Sequence, residues 1–242
     1  MTALRSGGRL VYLGAGASGR PGCSTQPSVP RPSEAVQAVI GGGPEALTRA
    51  LEGIEDDAGQ GRRDLQARRL DARDVVVGIT ASGRTTYVLG ALEQAWEIGA
   101  TTVALVSDGD SPMAEQADIV VCPAVGPEMN TVSTCLKAEM AAKLGLNMLS
   151  TATMVRLGKV NRNLVVALHP ANSKLATRAR RTVELAAGVD PSAAAWALAA
   201  AGGSVKVAIV HLIGDVDLDE ARRLLERSEG RVREAIKEAP GR

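Results

Sequence analysis

A short loop motif occurs twice in this chain, each time directly after an apolar run. The first copy is GRLVYLGAGASGR at residues 8–20 and the second is DVVVGITASGRTTYV at residues 74–88, and both contain Ala-Ser-Gly-Arg. A short apolar run closed by a glycine-rich turn reads as a strand buried on both faces, which predicts parallel strands over Leu10–Leu13 and Val75–Ile79. The turn that follows presents backbone N–H groups and Ser or Thr hydroxyls, the donors that surround an anion at a strand end. Two such turns predict a phosphate-bearing ligand held between them. The first loop offers Gly16 and Ser18, and the second the hydroxyls of Thr80, Ser82, Thr85 and Thr86.

The rest of the chain supplies the layers such loops need. Further strands are expected over Ala35–Ile40, Thr102–Val106 and Ile119–Val121, and helical periodicity over Glu45–Gln60 and Thr86–Ile98. Alternation at this spacing predicts an α/β protein, a three-layer α/β/α sandwich around a five-stranded, mostly parallel sheet. Ligands of such sheets sit at the carboxyl ends of the strands, where both loops lie. Asn130–Gly158 reads as one long buried helix, with Thr131 or Ser133 as N-cap and Gly158 as its stop. Leu164–Leu168 reads as a short extended piece and Lys174–Ala187 as a basic amphipathic helix. After Asp190, three helical segments separated by Gly202-Gly203 and Gly214–Asp217 suggest a small helical C-terminal domain. The expected domains are therefore 1–188 and 189–242.

Composition removes several classes of function. A net charge of +1 without long single-sign runs gives no electrostatic footprint for nucleic acid, and 2% aromatic residues with no Phe leave no stacking platform. The Arg62, Arg63, Arg68, Arg69 stretch reads as a solvated helix face. Cys23, Cys122 and Cys135 show neither metal-ligand nor disulfide spacing, which points to a reducing compartment. Ala141–Val155 is apolar but too short and polar to span a bilayer. With no signal peptide at the start, a cytoplasmic protein without membrane partners is expected.

Two acidic candidates remain. In LEGIEDD, Glu52 and Glu55 stand three apart, so on a helix they would share a face and crowd each other, an arrangement suited to proton abstraction beside a carbonyl. Glu128 precedes the long helix, where an acid favours the helix dipole, and Lys137 follows within it. His169 and His211 have no neighbouring base or nucleophile and read as structural. The first loop also fits a dinucleotide fingerprint loosely, but Pro21, Pro27, Pro30 and Pro32 argue against the helix which that binding mode requires.

Beyond the loops, the runs IGGGPEALTRALEGIEDD, VGPE, LKAEMAAKLGLNMLSTATMVRLGKV and ANSKL complete a pattern along nearly the whole chain. The pattern resembles the N-acetylmuramic acid 6-phosphate etherases, sugar isomerase (SIS) domain proteins related to the glucokinase regulatory protein. The resemblance begins at the first strand, short of the family's N-terminal helical segment. It implies a cytoplasmic homodimer that needs no cofactor or metal and acts on a small sugar phosphate. The implied reaction removes D-lactate from N-acetylmuramic acid 6-phosphate by C2 proton abstraction, elimination and hydration, leaving N-acetylglucosamine 6-phosphate. One of the family's two catalytic glutamates falls on Glu55, the phosphate contacts fall on Ser18, Ser82, Gly83, Arg84 and Thr85, and Glu128 matches a position assigned to substrate binding.

The chain also departs from that pattern. Residues 23–33, CSTQPSVPRPS, hold no acid where the family carries its proton-donating glutamate, with Glu34 the nearest substitute. Ala17, Val132 and Cys135 replace a threonine, a glycine and an arginine. A non-catalytic sugar-phosphate-binding or regulatory protein is the alternative this implies. An aldose–ketose isomerase, which also begins with C2 proton abstraction, fits the same loops.

Overall fold

The computed structural model describes residues 2–25, 35–130, 133–134, 136–168 and 170–240. Glu34, Thr131, Val132, Cys135, His169 and the acid-free run from residue 26 to 33 lie outside the described residues. By contacts the chain divides into two units, Met1–Ser150 and Thr151–Arg242.

The first unit opens with a one-turn helix, α1 (Thr2–Arg5), followed by β1 (Leu10–Gly14), α2 (Gly16–Thr25) and β2 (Val36–Ile40). Then come α3 (Ala58–Gln66), β3 (Val75–Ile79), α4 (Thr86–Ile98), β4 (Thr101–Leu105), α5 (Pro112–Gln116), β5 (Ile119–Val121) and α6 (Lys137–Arg156), which runs across the boundary. All five strands pair in parallel in the order β2-β1-β3-β4-β5. The chain leaves β1 towards β2 on one side and returns to β3 on the other, so the strand order reverses between β1 and β3. A crevice opens there at the carboxyl ends of the strands.

Period-two alternation builds both faces of the sheet. Val11, Leu13, Val76 and Ala104 point to one face and pack with Leu65, Tyr87, Val88, Leu92 and Met113 of α3, α4 and α5. Leu10, Tyr12, Val77, Ile79, Val103 and Leu105 point to the other, with Leu146 of α6. Each fully buried aliphatic or aromatic side chain contributes about 1.5–3 kcal/mol. The Tyr12 hydroxyl, buried within this core, is satisfied by Ser150 Oγ at 2.8 Å. At the amino ends of the strands, Asp74, only 1% exposed, accepts from the Arg9 backbone N–H and guanidinium and thereby ties β1 to β3.

Three expectations are corrected here. Glu45–Gln60 is not a helix: it holds 3₁₀ turns at Gly43–Leu47 and Ile54–Asp56, and the helix begins only at Ala58. Gly53 adopts φ +75°, a left-handed geometry that breaks helical continuity, so Glu52 and Glu55 do not share a helix face. The first loop does support a helix, since α2 includes Pro21. An interior proline costs about 3 kcal/mol; this one is buried, and its neighbour Gly22 packs against Tyr12 and Ile79, so burial on the sheet offsets the missing bond. The proline argument against a dinucleotide mode therefore does not stand. Finally, the long helix starts at Lys137 rather than Asn130 and is not buried throughout, because Met140, Leu144 and Met148 are exposed.

The second unit holds a two-stranded antiparallel hairpin, β6 (Val160–Asn161) with β7 (Leu164–Val165), and helices α7 (Ser173–Ala187), α8 (Pro191–Ala200), α9 (Val205–Gly214), α10 (Leu218–Arg227) and α11 (Val232–Lys237). Asn172, Asp190, Ser204 and Asp217 cap four of these helices through their side chains, and Val183, Ala197, Ile209 and Leu224 lie in their common core. The contact division falls earlier than residue 188 because α7 packs on α8 and α9. His211 sits in this unit, its Nδ1 2.6 Å from the Val216 carbonyl oxygen. Among the described residues no single helix is long and apolar enough to cross a membrane.

Candidate functional site

The two Ser-Gly-Arg loops leave adjacent strands, β1 and β3, and run directly into α2 and α4. The first N–H groups of each helix lack intrahelical partners, so both loops bring free donors and positive helix ends to the same crevice. Ser18 on α2 and Thr80, Ala81 and Ser107 on the loops after β3 and β4 line one narrow cleft there.

Within the second loop the hydroxyls organise one another. Thr80, buried at 4% exposure, places its Oγ1 2.9 Å from Thr85 Oγ1 and 3.5 Å from Ser82 Oγ. Ser82 Oγ accepts from the Arg84 N–H at 3.3 Å. Gly83 turns at φ +66°, and a Cβ there would collide with the buried Ser111, while its carbonyl accepts from the Met113 N–H at 3.1 Å. Glycine is therefore required to fold the loop onto α5. The Arg84 guanidinium is exposed and lies 3.6 Å from the Asp108 carboxylate.

Glu55 reaches the same place from the 3₁₀ turn after β2. Its carboxylate fills the space that a Cβ on Gly16 would occupy, beside the first turn of α2, and Gly16 itself has φ +52°. The Glu55 carbonyl accepts from Thr86 Oγ1 at 3.1 Å, which ties this turn to the start of α4. Gly16, Ser18, Glu55, Thr80, Ser82, Gly83, Arg84 and Thr85 are thus assembled around one crevice.

Glu128 and Lys137 are used differently. Both Glu128 carboxylate oxygens accept at 3.0 Å, from the Lys137 and Ala138 N–H groups, so this side chain caps α6. The donors, Ala138 first and then Lys137, hold its carboxyl below the usual pKa. Lys137 Nζ donates to the Val125 carbonyl at 2.9 Å. The structure brings this pair together at the helix start and not along the Ser18 and Thr80 cleft.

Sequence reasoning missed Glu139. It is half-buried, lines the cleft with Ser18 and Thr80, and forms no hydrogen bond or ion pair among the described residues. The signal was available: Ala138 and Ala142, small residues four apart, mark the face of α6 that approaches the loops, and Glu139 adjoins it. Among the described residues no group of three or more His, Cys, Asp or Glu stands where it could hold a metal ion.

The five-stranded parallel sheet flanked by helices is that of a SIS domain, and the SIS family model matches residues 57–148. The model for the glucokinase regulatory protein N-terminal SIS domain matches residues 1–96. An N-acetylmuramic acid 6-phosphate etherase from Serratia proteamaculans is 47% identical over 97% of this chain and 80% of its own length. One from Yersinia pestis is 48% identical over 97% and 81%, and one from Rhizobium rhizogenes 47% over 98% and 78%. Among solved structures, a phosphoheptose isomerase from Neisseria gonorrhoeae superposes on 66% of this chain and 80% of its own, with TM-score 0.45 at 20% identity. The chain belongs to the N-acetylmuramic acid 6-phosphate etherase family.

Proposed function

We propose that this protein cleaves the lactyl ether of N-acetylmuramic acid 6-phosphate, releasing D-lactate and leaving N-acetylglucosamine 6-phosphate. The observation that carries the reading is the Glu55 carboxylate lodged against Gly16, beside two loops rich in anion donors. The phosphate binds Ser18, Ser82, Gly83, Arg84 and Thr85, with the first N–H groups of α2 and α4 completing its cage. Thr80 orders the second loop from below, and Glu128 and Lys137 set the start of α6.

The open-chain sugar carries an aldehyde, which acidifies its C2 hydrogen. Glu55 takes that proton, the C2–H electrons form the C2–C3 double bond, and the C3–O bond breaks towards the lactyl oxygen. An alkoxide is a poor leaving group and needs a proton as it departs. Glu139, which lines the Ser18 and Thr80 cleft with no side-chain partner among the described residues, supplies it. Water then adds at C3, losing a proton to Glu139 while C2 recovers one from Glu55, so both carboxyl groups return to their starting states. The protein acts as a cytoplasmic homodimer in this reading.

A second reading is sugar-phosphate binding without turnover, favoured by the absence of any acid in residues 23–33. One experiment separates the two: incubation of purified protein with N-acetylmuramic acid 6-phosphate while D-lactate is followed. The etherase reading expects release that disappears in Glu55→Gln. No release from wild type, with N-acetylglucosamine 6-phosphate still bound and its binding lost in Ser82→Ala, identifies a binding protein instead.

A further inference from the structure

The second unit gathers three cations around one glycine turn. Gly158, the residue before Lys159, packs so closely on the turn between α10 and α11 that a Cβ there would stand 2.9 Å from Arg231 Cγ and 3.0 Å from the Gly230 carbonyl oxygen. The same carbonyl accepts from Lys206 Nζ at 2.7 Å. Lys159 comes from the start of the β6 hairpin, Lys206 from the first turn of α9, and Arg231 from the turn itself. The acid on that turn, Glu229, lies 3.6 Å from the Arg231 guanidinium.

Three physical effects act against a charge on Lys206. It is the second residue of α9, after the N-cap Ser204, and a cation is disfavoured at the positive end of a helix. Its side chain is half-buried, and Lys159 adds like-charge repulsion. Burial first and Lys159 second pull its ammonium below the usual lysine pKa. A neutral lysine amine keeps a lone pair while one of its N–H groups donates to Gly230. Desolvation and a neighbouring cation are the two devices that turn lysines into nucleophiles.

We propose that Lys206 is an acylation site whose donors are small acyl phosphates. Its neutral Nζ attacks the donor's carbonyl carbon, and the bond from that carbon to the phosphate oxygen breaks, the oxygen keeping the electron pair. The proton released from nitrogen ends on the departing phosphate, and the lysine becomes a neutral amide. Charge selects the donor: an acyl phosphate carries its negative charge beside the reactive carbonyl, and Lys159 and Arg231 favour its approach. Acylation then removes one of three like charges and leaves an amide N–H for the Gly230 carbonyl. All these residues belong to the second unit, and the proposal does not rest on the etherase reading.

The test incubates the full chain with acetyl phosphate and follows the acetylated fraction at each lysine by peptide mass spectrometry. Lys237, exposed and 3.3 Å from Glu234, is the internal reference. Each unit of pKa lowering multiplies the neutral fraction about tenfold, partly offset by the weaker basicity of the amine, so Lys206 should react about threefold faster than Lys237 or more. In guanidinium chloride that advantage should vanish. Equal or slower reaction at Lys206 in the folded chain, or an advantage that survives denaturation, would overturn the proposal. Lys159→Met should slow Lys206 by about threefold and Lys159→Arg should not; an unchanged rate in Lys159→Met would remove the neighbouring cation from the account. Acetic anhydride, a neutral donor, should be slowed less by Lys159→Met than acetyl phosphate is, and equal slowing would overturn acyl phosphates as the donor class.

Discussion

The Glu55 carboxylate stands where a side chain on Gly16 would have to be, although 39 positions separate them in sequence. The contact joins the turn after β2 to the first turn of α2, and so sets an acid at the head of that helix. Gly16→Ala would push that carboxylate away and also strain a backbone at φ +52°. A displacement of about 1 Å at a reacting group can cost about a hundredfold in rate. Steady-state kinetics of Gly16→Ala should show kcat for lactate release reduced by about that factor. An unchanged kcat would mean that Glu55 does not act from this position.

Thr80 predicts a different signature. Its buried hydroxyl sits within hydrogen-bond distance of Thr85 Oγ1 and Ser82 Oγ without standing at the exposed edge of the loop. Thr80→Val keeps the shape and removes this organising group. Affinity for N-acetylglucosamine 6-phosphate should fall by about tenfold, the scale of one lost hydrogen bond network contact. Calorimetry of the variant checks this, and unaltered affinity would separate Thr80 from the phosphate site.

Glu128 gives a stability that depends on pH. Its carboxyl is held below the ordinary value by the Ala138 and Lys137 N–H donors, so the folded state favours the ionised form. A carboxylate with a lowered folded pKa contributes stability that is fully present above its unfolded value of about 4.3 and is lost as pH falls through the folded value. Melting curves should therefore show wild type above Glu128→Gln at pH 7, with the gap closing below about pH 4. A gap independent of pH would contradict the capping role.

Asp74 lies at the opposite ends of the strands from the ligand loops. Nearly buried, it accepts from Arg9 through both oxygens. Losing its carboxylate would leave the Arg9 and Asp71 backbone N–H groups without their acceptor, while Arg9 keeps the Arg68 and Arg69 carbonyls, at a cost of about 1–3 kcal/mol. Asp74→Ala should unfold at markedly lower denaturant concentration, while the protein that remains folded binds N-acetylglucosamine 6-phosphate with wild-type affinity. Loss of affinity without loss of stability would contradict the separation of scaffold from site.

Much of this was legible in the sequence where a single local rule governs. Val75–Ile79 and Ile119–Val121 are strands as expected, because each is a short apolar run, and Thr86–Ile98 is the expected helix, its periodicity closed by Gly99. The doubled loop motif located the crevice for the same reason. Reading failed where tertiary contacts override the pattern. The apolar spacing of Glu45–Gln60 looks helical, but left-handed Gly53 divides it into turns, and the turn after it delivers Glu55 to Gly16. Pro21 argues against a helix until its burial against the sheet is known. The Glu128 carboxylate caps α6, a role that local sequence did not single out, whereas Glu139, outwardly one more charged residue on a helix, faces the cleft. Partnership distinguishes those two acids, and it is not written in local sequence.

The central claim is that Glu55 opens the ether by removing the C2 proton at this crevice. Carrying out turnover of N-acetylmuramic acid 6-phosphate in D₂O and analysing the sugar product by mass spectrometry and NMR tests it most directly. The account predicts D-lactate together with N-acetylglucosamine 6-phosphate deuterated at C2, and neither product from Glu55→Gln. Lactate formed with protium retained at C2, or deuterium incorporation that persists in Glu55→Gln, would contradict it.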